Sequence, residues 1–176
     1  MDILIFGSVI IAIFVIYEFN VFITLKNKLK QAKSTIDVYL AQRFDLIPNL
    51  LACVKSYADY EKQTLTVITE LREAYSNTKS LEVGQALTNK MNDLIVRAEN
   101  MADIKADTQF LILQRNLIRI ESQLQAARRI YNGDVTLYNT TIQTFPNNII
   151  ASLFKMQPKD LFVIEEYQAQ NIEVEV

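Results

Sequence analysis

The apolar residues of this 176-residue chain fall into two kinds of pattern. A charge-free run from Ile3 to Tyr17 continues as mostly apolar sequence to Leu25, with Glu18 and Asn20 as polar interruptions. From residue 26 onward, apolar residues recur every three or four positions, which is the period of a helix that buries one face. Only 3 Gly and 3 Pro occur, so few tight turns are expected. The pattern predicts an all-α protein, with an N-terminal transmembrane helix followed by an antiparallel bundle of long helices.

The N-terminal apolar segment is long enough to cross a bilayer. A helix over residues 3–25 would measure about 34 Å, against about 30 Å for the hydrocarbon core. A cleaved signal peptide and a helix buried within an oligomer are the alternatives, but the acidic start Met1-Asp2 favours a retained anchor. The charges that follow the segment are all basic: Lys26, Lys28, Lys30 and Lys33. The positive-inside rule therefore predicts a single-pass protein of the cell (inner or plasma) membrane, with a short N-terminus outside and the bundle in the cytoplasm.

Pro48 interrupts the amphipathic stretch that runs from Ile36 to Leu65. A proline there either kinks the helix or begins a new helix in its first turn. Asp45 can accept hydrogen bonds from the freed backbone N–H groups, and we expect Arg43 and Asp45 to bond the backbone and each other. A hydrolase built on Asp45 and Glu61 is a rival hypothesis, for which the sequence supplies neither a nucleophile nor a metal.

Two further helices are predicted beyond a polar turn at 77–80. The first carries apolar residues from Leu81 to Met101, and a turn at 103–107 follows it. The second runs from about Thr108 to Thr144 and would measure about 55 Å. It contains a polar and aromatic patch: Arg128, Arg129, Tyr131, Asn132, Tyr138 and Asn139. Such a patch can fix helix register through buried hydrogen bonds or present a surface to a partner, and we favour register.

The pair Phe145-Pro146 ends the long helix, because a residue before proline is driven out of helical geometry. Asn147 or Asn148 can then cap a short amphipathic segment that docks on the bundle, with contact to the membrane surface as the alternative. Residues 171–176 alternate between polar and apolar, which fits either a disordered end or a strand added to a partner. The expected divisions are a transmembrane anchor at 1–25, a cytoplasmic helical bundle at 26–145, and a short helical segment with a mostly irregular tail at 146–176.

The amino-acid composition limits the kinds of catalysis and ligand binding that this chain can support. The chain has no histidine and a single cysteine, Cys53, which removes the commonest general base and most metal-ligand sets. Catalytic residues, a cofactor and a metal ion are therefore not expected. The net charge of −2 gives no basic field for binding nucleic acid.

Several blocks of the sequence resemble the LemA family of single-span bacterial membrane proteins. They occur in the family's order: Asn20 to Phe22, Ile36 to Val38, Arg43 to Leu50, Val54 to Ala58 with Glu61, Ala127 to Asn132, Tyr138-Asn139, and Phe145 to Asn148. The resemblance implies an N-terminal anchor and an antiparallel cytoplasmic bundle without an established enzymatic activity. Relatives are associated with membrane organisation and envelope proteases, so the resemblance also makes partner binding plausible.

The predicted function is a non-enzymatic, membrane-anchored scaffold or interaction protein that self-associates. An adaptor or regulator of a membrane or envelope protease is the alternative. The expected partners are the membrane, further copies of the chain, and a membrane protease or another membrane protein. The candidate structural or interface residues are Arg43, Asp45, Pro48, Asn49, Arg128, Arg129, Tyr131, Asn132, Tyr138, Asn139, Phe145 and Pro146.

Overall fold

The computed structural model describes residues 1–57 and 62–162. Every regular element in these two ranges is a helix, so the predicted all-α class is confirmed. In chain order the helices are Asp2–Asp45 (α1), Ile47–Tyr57 (α2), Lys62–Thr78 (α3), Leu81–Glu99 (α4), Ala102–Lys105 (α5), Thr108–Gln143 (α6) and Asn147–Leu153 (α7). Glu61 and the alternating residues 171–176 lie outside the described residues, and so do the predictions made for them.

The helices α1 and α6 are the longest, at 44 and 36 residues. Nothing breaks α1 between the apolar run and the amphipathic part, as the lack of helix breakers after Lys26 predicts. It ends at Asp45, and α2 begins at Ile47 with Pro48 in its first turn, where a missing N–H costs no helical hydrogen bond. Asp107 begins α6 by accepting hydrogen bonds from the backbone N–H groups of Gln109 and Phe110, at 2.6 and 2.9 Å.

Contacts divide the chain into two compact units. Unit 1 contains Met1–Lys33 together with the chain from Arg128 onward, and unit 2 contains Ser34–Ala127. The predicted divisions followed chain order, whereas unit 1 joins the two ends of the chain.

Tyr75 is a buried aromatic residue of unit 2 that packs between α1 and α4. Its ring meets Phe44 of α1 edge-on, with centroids 4.8 Å apart. On the α4 side, a Cβ at Gly84 would lie 3.0 Å from the ring. Gly84 therefore lets α4 approach a buried aromatic side chain that a larger residue would displace. Burial, and secondarily Asp37, raise the pKa of the Tyr75 hydroxyl.

Two of the helix-interior glycines, Gly84 and Gly133, are expected to respond differently to replacement by alanine. Gly133 is exposed on α6, and an added Cβ there would meet nothing within 4 Å. We expect Gly133→Ala to raise the free energy of unfolding by about 0.5–1 kcal/mol, because alanine is the better helix former. Gly84→Ala should not show this increase, because the new methyl group would press on the Tyr75 ring. Urea denaturation followed by circular dichroism in detergent tests both, and equal gains would contradict the tight approach at Gly84.

Unit 1 has a hydrophobic cluster that draws on three helices. Its buried members are Phe22, Leu25 and Leu29 of α1, Val135, Tyr138 and Ile142 of α6, and Ile150 and Ala151 of α7. Glu18 is also buried, one turn before Phe22 on the same face of α1. Of the two polar interruptions, Glu18 is therefore covered by protein, whereas Asn20 is exposed.

The helix α7 ends in a tight reversal. Met156 N–H donates to the carbonyl of Ala151 and Lys155 N–H donates to that of Ser152, which is the Schellman pattern. Lys155 has a φ of 51°, in the left-handed region where glycine is usual. At the other end, the residue preceding α7 is Pro146 and no side chain caps the helix, so the prediction of an Asn147 or Asn148 cap is wrong. The geometry at Pro146 leaves both asparagines inside the helix.

Replacement of Lys155 by glycine is expected to stabilise the protein. We expect Lys155→Gly to raise the melting temperature of the protein, by the equivalent of about 1 kcal/mol, because the left-handed conformation strains a side chain with a Cβ. Lys155→Ala removes the same charge but keeps the Cβ, so it should give little of this gain. A thermal melt in detergent compares the two, and equal effects would assign the gain to charge.

Candidate functional site

Two polar constellations stand out, one in each unit. In unit 2, Arg43 of α1 donates from Nη1 to Oε2 of Glu121 on α6, at 2.5 Å. It also donates from Nη2 to Oδ1 of Asn92 on α4, at 2.7 Å. One guanidinium thus joins three helices whose residues are 49 and 78 positions away along the chain.

The Arg43 site is a buried charge with a partly exposed partner. The Arg43 side chain is 8% exposed and that of Glu121 is 32% exposed. Burial lowers the pKa of the Arg43 guanidinium, while the Glu121 carboxylate and its hydrogen bond oppose that shift. Because an arginine stays charged at all ordinary pH values, the site holds a permanently cationic side chain. Such an arrangement fixes which helix faces meet rather than performing proton chemistry.

The prediction that Arg43 and Asp45 would bond each other is wrong. Asp45 is exposed and lies 3.6 Å from Arg72 of α3. Helical geometry explains the difference, because residues two apart point to different sides of a helix. Pro48 and Asn49 are exposed in the first turn of α2. Of these four neighbouring candidates, only Arg43 reaches the interior.

In unit 1, two asparagines of α6 bind the backbone of the segment 157–162, which we term the C-terminal strap. Asn132 Nδ2 donates to the carbonyl of Phe162 at 3.0 Å, and its Oδ1 accepts from Phe162 N–H at 2.7 Å. Asn139 makes the same pair of bonds with the backbone of Lys159, each at 2.8 Å. Both amides thus bond the chain's own C-terminal strap, a partner that the seven-residue spacing alone did not indicate.

The spacing of the two asparagines matches an extended chain. Seven residues of α6 rise by about 10.5 Å. Three residues of extended chain, from Lys159 to Phe162, cover about 10 Å. The later strap residue pairs with the earlier asparagine, so the strap runs antiparallel to α6. Each asparagine therefore satisfies the backbone N–H and the backbone carbonyl of one strap residue. Without the asparagine, these two groups would form hydrogen bonds only with water.

The side chain of Phe162 adds to this anchorage. The Arg128 guanidinium carbon lies 5.1 Å from the centre of its ring, a cation–π distance. Tyr131 meets the same ring edge-on, with centroids 6.3 Å apart. Arg129, the neighbouring candidate, is exposed. The patch predicted on α6 is therefore divided between strap binding, solvent and the hydrophobic cluster of unit 1, which contains Tyr138.

The remaining candidates have separate positions. Tyr138 is buried in the hydrophobic cluster of unit 1. Phe145 is exposed, and the peptide bond between Phe145 and Pro146 is cis. The sequence pattern did not indicate Glu121, Asn92 or Phe162 as site residues. For Glu121 one signal was available, because it adjoins the core positions Leu117, Ile120 and Leu124 of α6.

Two further features of the described residues bear on chemistry, a thiol and an open cleft. Burial, and secondarily Asp107, raise the pKa of the Cys53 thiol, which keeps it protonated near neutral pH. Within residues 1–57 and 62–162, no cluster of three or more His, Cys, Asp or Glu side chains can hold a metal ion. An open cleft of about 180 Å³ beside Phe44, Asp45 and Arg72 is smaller than typical small-molecule sites.

These features define a class of protein: an all-helical protein whose N-terminal helix is long and apolar enough to cross a membrane, and whose polar sites hold its own elements together. A sequence profile of the LemA family matches residues 32–176, and the chain belongs to that family. It is similar to Protein LemA of Metamycoplasma hominis, with 27% identity over 153 residues, which cover 84% of this chain and 68% of the relative. Both polar constellations lie within the matched region, and the whole apolar run precedes it.

Proposed function

We propose that this protein is a non-enzymatic, membrane-anchored helical scaffold that self-associates at the cell membrane. The observation that carries the proposal is the contrast along α1. Ile3 is 88% exposed, whereas Ile36 of the same helix is 2% exposed. Only 6% of the apolar window in α1 is buried by the rest of the protein. Large apolar side chains that protein leaves uncovered over such a length are suited to lipid.

The charges around the apolar part of α1 support an orientation. All the lysines that follow the span, from Lys26 to Lys33, are exposed, and only Asp2 precedes it. With the basic end in the cytoplasm, the short N-terminus lies outside and the helices that follow α1 lie inside.

Self-association is supported by apolar side chains on helix surfaces well beyond the span. Ile112, Ile118 and Ile130 of α6 are all more than half exposed. Uncovered apolar surface on a helix favours contact with another protein surface. A second copy of the chain is the partner always present at the same membrane.

Self-association is tested by the mass of the purified protein in mild detergent, for the full chain and for a chain shortened to begin at Phe19. The shortened chain keeps Phe22 and Leu25, which the unit 1 cluster requires. We expect both to form a discrete oligomer. An oligomer of the full chain alone would assign association to the span, and two monomers would overturn the scaffold proposal.

The alternative, an adaptor for a membrane protease, is favoured by one specific observation. The α6 surface around Asn132 already binds an extended segment through its backbone, and Arg129 lies exposed beside it. If this surface recruits a protease, Arg129→Glu should remove the co-purifying protease and leave the oligomer mass unchanged. Arg119→Glu, an equal charge reversal at another exposed position of α6, is the matched control and should retain the protease.

A further inference from the structure

We propose that α7 and the end of α6 lie in the inner membrane interface, with the exposed apolar side of α7 in contact with lipid. This inference rests on the proposed membrane anchor and adds a second membrane-contacting element to it. We define the α7 apolar face as Ile149, Leu153 and Phe154, together with Phe145 just before the helix.

The first step is the exposure of this face. Phe145 is 81% exposed, Ile149 is 62% exposed and Leu153 is 72% exposed. The opposite side of α7 is covered, because Ile150 and Ala151 are buried in the unit 1 cluster. Ile149 and Leu153 are four residues apart and so share one side of the helix. Helix α7 is thus docked by one side, and its exposed side carries Ile149 and Leu153 beside the uncharged polar residues Asn148 and Ser152.

The second step is the place on α1 against which this region packs. The rings of Phe154 and Phe19 have centroids 4.7 Å apart. Phe19 directly follows Glu18, the first charged residue after the apolar run, and precedes Lys26 by seven residues, about 10 Å of helix rise. A span of about 30 Å that ends near Leu25 therefore places Phe19 inside the hydrocarbon boundary. Amphipathic helices of the interface bury their apolar side to a depth of about 5–10 Å, which matches this level.

The third step is charge. Residues 135–154 contain no Asp, Glu, Lys or Arg, a longer uncharged run than Ile3–Tyr17 in the apolar span itself. This run covers the end of α6 and all of α7. The charged residues resume at Lys155, an amine suited to anionic headgroups. The uncharged run removes the main cost of placing these helices beside lipid.

The same placement accounts for Glu18. A carboxylate inside a lone span would face hydrocarbon, which is costly. In this protein Glu18 is buried on the face of α1 that bears Phe22 of the unit 1 cluster. Docking α7 at this level covers that face of α1 while its outer side meets lipid.

The chain has no tryptophan, so single-tryptophan variants report depth without background. The reporters are Leu153→Trp and Phe145→Trp, both at exposed positions where a larger ring is accommodated. Phe14→Trp, in the apolar run, reports the anchor itself. Val96→Trp, at an exposed position of α4 in unit 2, is the control. Each full-length variant is reconstituted in phosphatidylcholine–phosphatidylglycerol vesicles, with and without brominated acyl chains.

We expect brominated lipid to quench Leu153→Trp and Phe145→Trp to an extent comparable with Phe14→Trp, and to leave Val96→Trp unchanged. Quenching of Phe14→Trp alone would overturn the inference and leave the anchor intact. Failure to quench Phe14→Trp would overturn the proposed anchor as well. If Leu153→Trp is shielded from both brominated lipid and aqueous acrylamide, another protein surface covers α7 and the lipid contact is excluded.

Discussion

Replacing Glu121 with alanine is expected to lower the free energy of unfolding by about 3 kcal/mol, near the low end of the range for breaking a buried ion pair. The variant leaves the Arg43 guanidinium buried with only the neutral amide oxygen of Asn92 as its described side-chain acceptor. The low end applies because Glu121 is itself partly exposed to water. Urea denaturation followed by circular dichroism in detergent measures the loss.

Two companion variants separate charge burial from packing. Arg43→Met removes the buried charge and keeps an apolar side chain of similar length, so its cost should be well below that of Glu121→Ala. Glu121→Gln keeps an acceptor without the charge and should fall between them. Suppose that Glu121→Ala lowers the free energy of unfolding no more than Arg43→Met does. The Arg43 guanidinium would then be hydrated in the Glu121→Ala variant, and the ion pair would not stabilise the packing of α1 against α6.

The double variant Asn132→Ala with Asn139→Ala should release the C-terminal strap. It removes four hydrogen bonds, each contributing roughly 0.5–1.5 kcal/mol, for an expected local loss of about 3 kcal/mol. Amide exchange at Lys159 and Phe162 should then accelerate by about a hundredfold, since each 1.4 kcal/mol is a factor of ten. Hydrogen–deuterium exchange with mass spectrometry measures this change in exchange rate.

The control for strap release is Asn148→Ala, which truncates an exposed asparagine of α7. It should leave exchange in 157–162 unchanged. Each single variant should give an intermediate acceleration, because the other asparagine still pairs. Wild-type exchange in the double variant would mean that the contacts of Phe162 with Arg128 and Tyr131 hold the strap alone.

The helices were largely predictable and their polar pairings were not. The predicted long helix at Thr108–Thr144 differs from α6 by one residue, because its apolar period is unbroken until the residue before Pro146. The start of α2 follows from the fixed backbone of Pro48. In contrast, the partner of Arg43 lies 78 residues away. Period alone gives the buried side of a helix but not which residue of another helix stands opposite, since that depends on rotation and sliding between them.

The binding of the C-terminal strap to α6 was not predicted, for a related reason. The paired asparagines at 132 and 139 were visible as a patch, but their bonds go to backbone groups, which every residue carries. No side-chain pattern in 157–162 could therefore identify the partner. The missing cap at Asn147 or Asn148 reflects local geometry, because a preceding Pro146 sets where the helical turn begins.

Because the asparagines bind backbone groups, their hydrogen bonds with the C-terminal strap depend little on its side chains, and within the strap only the Phe162 ring is described as adding contacts of its own with α6. Asp160 and Leu161 lie between the two paired residues, and both are exposed. Substitutions there should be accommodated freely, whereas proline at 159 or 162 would delete a donor that an asparagine needs. Asn132 and Asn139 thus bind the backbone of the strap and do not select the side chains at positions 160 and 161. Two consecutive outward-facing positions remain open to acquire a new binding specificity without disturbing the fold that presents them.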